Sequence, residues 1–234
     1  MCNDYFCCNT PKDSQKMALN ILTLILLVTV LVSALCFNNR ELFYRFAFVP
    51  GDIKQGKKRL GFLTHMLVHA DWAHLMFNMF SLYFLGDALL SIQGHSVYRI
   101  SDGLIATYGP LRGNLHFLLI YVLGGVASTF WPLWRNQDNP SYVSVGASGA
   151  VSAIIFATIL WNPFLELEFI FLPGIGIPSY IFGPLFLAFE FWAFKRNKTN
   201  IAHDAHIGGA LFGLLYVMII NPDKLTNLFS QIFA

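Results

Sequence analysis

Three short runs carry side chains able to do chemistry. Ser148 stands in Gly146-Ala147-Ser148-Gly149-Ala150, and His206 in Ala205-His206-Ile207-Gly208-Gly209. His74 precedes Asn78 by four residues. All lie in apolar stretches, where polar groups are costly and usually face an interior to pair or react. Together they suggest acyl transfer. A serine hydroxyl is a weak nucleophile until a base takes its proton, and His206 is the candidate base. The oxyanion that forms needs preorganised donors. Asn78 offers an amide N–H, His74 a ring N–H and Ser148 its own backbone N–H. The glycines around Ser148 let a substrate backbone come close. No acid completes a triad by sequence. Asp204 is two positions from His206 and points to another helix face, and Asp87 lies nine residues beyond Asn78. The expectation is a Ser148–His206 dyad with no cofactor and no metal.

Such residues need a scaffold, and composition says which kind. Of 234 residues, 56% are apolar and only 12% charged, with 23 Phe and a mean hydropathy of +0.56. The charged share is about half that of a soluble domain. These values exclude a disordered chain and argue against a soluble globule. A net charge of +2 gives no basic face for nucleic acid. A span needs about 20 apolar residues, and six stretches qualify: 17–37, 75–92, 113–134, 142–161, 177–194 and 202–220. The expected fold is an all-α membrane protein with six transmembrane helices. Residues 1–16 read as an N-terminal tail, 17–222 as one membrane domain and 223–234 as a C-terminal tail. No internal repeat or linker divides the chain.

Parity puts the starts of spans two, four and six on one membrane face. At 1.5 Å per residue, His74, Asn78, Ser148 and His206 lie within roughly 10 Å of that face. His74 and Asn78 share a helix face at i, i+4. Gly149 and Ala153 on span four, and His206, Gly209, Ala210 and Gly213 on span six, form small-residue stripes. Such stripes let membrane helices approach closely, so spans four and six should touch. The connection 38–73 is long and carries six basic residues. The stretch 93–112 reads as a polar loop, and 165–172 as an interfacial or re-entrant piece ending at Pro173-Gly174.

Blander readings exist for each feature. Small-residue runs around Ser148 and His206 also serve packing. His65, His69 and His74 fit interfacial side chains or a metal cluster, and His65 and His69 have zinc-compatible spacing. No carboxylate or cysteine completes that set. Asp87 and Glu190 read as structural hydrogen-bond partners, or as ion sites of a transporter. Cys2, Cys7, Cys8 and Cys36 match no zinc pattern and read as idle thiols. The positive-inside rule places the termini outside, because ten of fifteen basic residues fall in the opposite loops.

The motifs in their order resemble the rhomboid family of intramembrane serine proteases. The matching residues are Thr64-His65, His69, His74-Leu75-Met76-Phe77-Asn78, Gly86, Gly146-Ala147-Ser148-Gly149 and Ala205-His206-Ile207-Gly208-Gly209, spread over about residues 60–220. The resemblance implies a six-helix core and a water-filled cavity opening to the outer face. It implies Ser148 as nucleophile, His206 as base, and His74 and Asn78 as oxyanion donors. It implies a first loop lying partly in the membrane, single-span membrane proteins as substrates, and cytoplasmic termini, against the charge count. The membrane expected is a bacterial cytoplasmic one. A noncatalytic relative that binds and escorts membrane proteins is the alternative. Three departures stand out. Ser152 replaces an aromatic residue that packs on the histidine in many members. A Trp-Arg pair is missing before Thr64-His65, with Arg59 the nearest basic residue. Leu90 stands where span two often has an acid, with Asp87 a substitute.

Overall fold

Fifteen elements follow one another in a computed structural model that describes residues 21–86, 100–169, 172–196 and 201–233. Helix α1 is Ile21–Phe37. Short helices α2 (Arg40–Phe46), α3 (Pro50–Lys54) and α4 (Gly61–Thr64) and a 3-10 turn at His65–Leu67 fill the first connection. Then come α5 (Trp72–Gly86), α6 (Ile100–Tyr108), α7 (Pro110–Ala127), α8 (Phe130–Asn136) and α9 (Ser148–Trp161). A hairpin of β1 (Glu166–Phe169) and β2 (Leu172–Pro178) precedes α10 (Ser179–Arg196), α11 (His203–Ile220) and α12 (Asp223–Phe233).

The core sits around α9, in which every residue from Gly149 to Trp161 is buried. A helix apolar on all sides is stable only when surrounded, and neighbouring helices surround it. Small residues set the spacing. A Cβ on Gly209 of α11 would strike the backbone of Gly149, and one on Gly213 the backbone of Ala153. On the α7 side, a Cβ on Gly124 would strike Ala153. Side chains at these points would hold the backbones apart, so α9 and α11 meet as the stripes predict.

The outer helices show the opposite pattern. On α1 the buried residues are Leu22, Ile25, Thr29, Ser33 and Cys36, one helical stripe. Leu24, Leu27, Leu31 and Leu35 are exposed. Leucines turned outward suit a lipid-facing surface, since hydrocarbon costs them nothing. Among the described residues, two helical segments are long and apolar enough to cross a membrane, Pro110–Asn136 and His203–Ile220. Ile21–Phe37 and Ser148–Trp161 are shorter apolar helices.

Several boundaries differ from expectation. The span expected at 142–161 becomes a helix only at Ser148; the residues before it are extended and loop-like. Its start is delayed because Ser144 pairs with Phe48 and Gly146 takes a φ of +116°. The loop expected at 93–112 contains α6, whose backbone at Ile105 lies against Gly113 of α7. The piece read as re-entrant at 165–172 is instead part of an antiparallel hairpin pairing Glu166 with Pro178. The expected C-terminal tail forms α12. Asp87, Leu90 and the cysteines 2, 7 and 8 lie outside the described residues.

Candidate active site

The first connection folds back onto the segment leading to Ser148. Phe48 and Ser144 exchange both backbone hydrogen bonds at 2.9 Å. The N–H of Gly146 donates to the carbonyl of His65 at 3.0 Å, and Lys54 pairs with Asp138 at 2.6 Å. His69 completes the clamp. The Ala147 N–H donates to its Nε2 at 3.3 Å, and its Nδ1 lies 2.9 Å from Ser33 Oγ. An accepting Nε2 requires the proton on Nδ1. Nδ1–H therefore donates to Ser33 Oγ, and the Ser33 hydroxyl donates onward to the carbonyl of Leu67 at 2.8 Å. This relay ties α1, the first connection and the residue before Ser148 into one unit. Burial pushes His69, in a connection outside the spans, down to about 3, so the ring is neutral as the relay demands.

Helix α5 brings the second pair. Asp71 Oδ1 accepts the His74 N–H at 2.7 Å, the geometry of an N-cap. The His74 ring lies against Gly146, where a Cβ would come within 2.7 Å of Cε1. Only glycine fits there, for space and for its positive φ. Asn78 is buried, and its side-chain amide donates one hydrogen to the His74 carbonyl at 3.0 Å.

Ser148 is the first residue of α9. Its N–H is one of the orphan amides of a helix start, at the end where the helix dipole favours negative charge. Ser148, His206, His74 and Asn78 all line one cavity of about 1240 Å³. It opens at the end where α5, α9 and α11 begin. The four residues singled out by sequence therefore line one cavity from three helices.

Sequence reasoning missed the partner of His206. Glu190 of α10 is buried, and its Oε2 lies 2.6 Å from Nδ1 of His203 and 3.1 Å from Nδ1 of His206. The first contact is a hydrogen bond. The second has the distance of one, but the ring N–H does not point at the oxygen, so Nδ1 of His206 is buried without a hydrogen bond. A lone acid in an apolar helix and a His-x-x-His pair one turn apart were the available signals. Asp204 is buried, accepts the Ala205 N–H at 3.0 Å and approaches Arg135 of α8 at 4.0 Å. Ser152 is buried and too small to brace the imidazole. The zinc-compatible pair is otherwise engaged, since Nδ1 of His65 meets the Gly61 carbonyl at 2.9 Å and His69 uses both nitrogens. The donor atoms of Glu190, His203 and His206 lie within 4.8 Å of one another. The 2.6 Å contact is tighter than the roughly 3.3 Å separating two ligands on a tetrahedral zinc, and describes a proton-mediated bond.

Fold and site together define a helical membrane protein with a serine, a histidine and two further polar groups around one cavity. Residues 57–222 match the family model described as the Rhomboid domain. The chain belongs to the rhomboid family. It is 28% identical over 74% of its length to RHOMBOID-like protein 12, mitochondrial, of Arabidopsis thaliana, covering 50% of that protein. It is 25% identical over 64% of its length to the presenilin-associated rhomboid-like protein A, mitochondrial, of Danio rerio, covering 34%. It is 22% identical over 72% of its length to Rhomboid protease AarA of Providencia stuartii, covering 60%. The chain thus spans about half or less of the first two relatives. Those two are named mitochondrial, which disfavours the bacterial membrane expected from sequence and leaves the integral membrane assignment in place.

Proposed function

We propose that this protein is an intramembrane serine endopeptidase with Ser148 as nucleophile and His206 as base. What supports the reading is the single cavity lined by Ser148, His206, His74 and Asn78 at the starts of three helices. His206 takes the Ser148 proton as Oγ attacks the scissile carbonyl. The oxyanion is met by the Ser148 backbone N–H, the remaining Asn78 amide hydrogen and the His74 ring N–H. The protonated His206 then gives its proton to the leaving amine, and water repeats the sequence to release the acyl group. A substrate helix must unwind first, because its carbonyls are held in backbone hydrogen bonds. Small or helix-breaking residues near the cleavage site are therefore favoured. The substrates are single-span membrane proteins.

The topology that goes with this reading is a six-span bundle formed by α1, α5, α7 with α8, α9, α10 and α11. Both termini lie on the face away from the cavity. The contrary charge count rests mainly on the six basic residues of the long first connection. Lys54 and Lys58, two of the six basic residues in the first connection, are paired with Asp138 and Asp52. A fluorophosphonate probe tests the function. The protein in lipid should be labelled, and Ser148→Ala should abolish labelling and cleavage of a model transmembrane substrate. An unlabelled parent protein would favour the noncatalytic binding and escort role instead.

A further inference from the structure

We propose that Glu190 is the positioning carboxylate of this site, holding His206 through its Nδ1–H so that Nε2 faces Ser148. The inference rests on the proposed protease reading and extends it from a dyad to a Ser148–His206–Glu190 relay.

Three observations lead there. First, a buried Nδ1 needs a partner, and among the described residues the carboxylate oxygen set beside it is Glu190 Oε2, at 3.1 Å. The separation is already that of a hydrogen bond, and what is missing is the alignment of the ring N–H. Second, the ring has little else to brace it. The residue four beyond the nucleophile is Ser152; of the two other acids lining the cavity, Asp71 caps α5 and Asp204 is engaged by Arg135 and its own helix start. Third, a carboxylate buried among apolar helices is expensive unless paired. Glu190 meets that requirement with two imidazoles, His203 and His206, one turn apart on α11.

The chemistry follows from the tautomer. His206 accepts a proton at Nε2 only when Nδ1 carries the other. An ionised Glu190 selects that form and steadies the imidazolium that forms as the Ser148 proton arrives. The carboxylate takes up no proton. The stronger bond to His203 anchors the carboxylate, so its free motion is limited when His206 changes charge. Glu190 thus acts through His206 and touches no substrate.

The test measures fluorophosphonate labelling rate, and kcat and KM on a transmembrane peptide, for the full chain in lipid. In labelling, Ser148 Oγ bonds to phosphorus, fluoride leaves and the hydroxyl proton passes to His206. Glu190→Gln should lower the labelling rate and kcat by at least about 100-fold, as loss of a triad acid does elsewhere, with KM within about twofold. Glu190→Asp should recover at least about tenfold of that loss. Asp204→Asn, which removes the neighbouring buried acid, should stay within about threefold of the parent. Near-parent kcat in Glu190→Gln, with labelling still abolished by Ser148→Ala, overturns this inference and spares the protease reading. No labelling of the parent overturns both. Should the Glu190 variants fail to fold, the phosphonylated parent labelled with 15N-histidine decides. A low-field Nδ1 proton on His206 supports the relay, and its absence refutes it.

Discussion

Under the proposed protease reading, Gly209→Ala should suppress active-site labelling without touching a reacting atom. Ser148 begins α9 and His206 lies in the first turn of α11, so their separation is set by how closely these helices approach. A Cβ on Gly209 would lie 2.8 Å from the Gly149 carbonyl carbon and 3.2 Å from its Cα, and closer still to its oxygen. Carbon atoms in ordinary contact sit about 3.5–4.0 Å apart. The neighbour is backbone and cannot swing aside, and the carbonyl oxygen is the limiting contact, so the helices must part by at least about 1 Å. A displacement near 1 Å at reacting groups costs about 100-fold in rate, and overpacking costs about 1–3 kcal/mol of stability. The expected result is a labelling rate down about 100-fold with a measurable loss of thermal stability. Gly208→Ala is the control, because its nearest contact is Ser128 Cα at 3.2 Å on a different neighbour. Its loss should be under about tenfold. If Gly209→Ala keeps the parent rate, the α9–α11 approach does not set the catalytic distance and the packing argument fails.

Other outcomes follow from the same geometry. Asn78→Ala should slow turnover about 10-fold to 1000-fold, the scale of one oxyanion donor, read as kcat; an unchanged kcat assigns the hole to His74 and the backbone. Gly146→Ala should lose most activity, since its Cβ meets the His74 ring and its φ is +116°; full activity would show that ring is not held there. Stability should fall with acid. Burial pushes His69 to about 3 and His65 to about 4 from an ordinary 6.5, so below pH 6.5 the unfolded chain binds protons that the folded chain refuses. Each contributes a loss of about 1.4 kcal/mol per pH unit as pH falls from 6.5 toward its folded value. Thermal denaturation at pH 7, 6 and 5 measures this. His69→Gln should flatten the slope, and an unchanged slope would refute the neutral relay.

Much of the site was readable because its signals are local. Ser148, His206, His74 and Asn78 stand out as polar groups in apolar runs. Parity of the expected spans predicts one depth for them, and the Gly149, Ala153, Gly209 and Gly213 stripes announce a close contact. Sequence also fixed what the protein could not be, because so few charges cannot clothe a soluble globule of this size. Boundaries were less legible. Residues 142–147 are apolar enough to continue a span. They do not, because Phe48, His65 and His69 claim the backbone of Ser144, Gly146 and Ala147, residues nearly 80 to 100 positions away.

Tertiary structure alone decided the fate of the unassigned polar groups. Nothing in the spacing of 190 and 203–206 says that α10 turns Glu190 toward α11, since that depends on how three helices pack. His69 looked like half of a zinc pair until Ser33 and Ala147 consumed both its nitrogens. The reason is general. Periodicity reports which face of a helix a residue occupies, but a hydrogen bond needs a partner placed to within tenths of an ångström. In this chain that partner comes from another helix, and only packing brings it there.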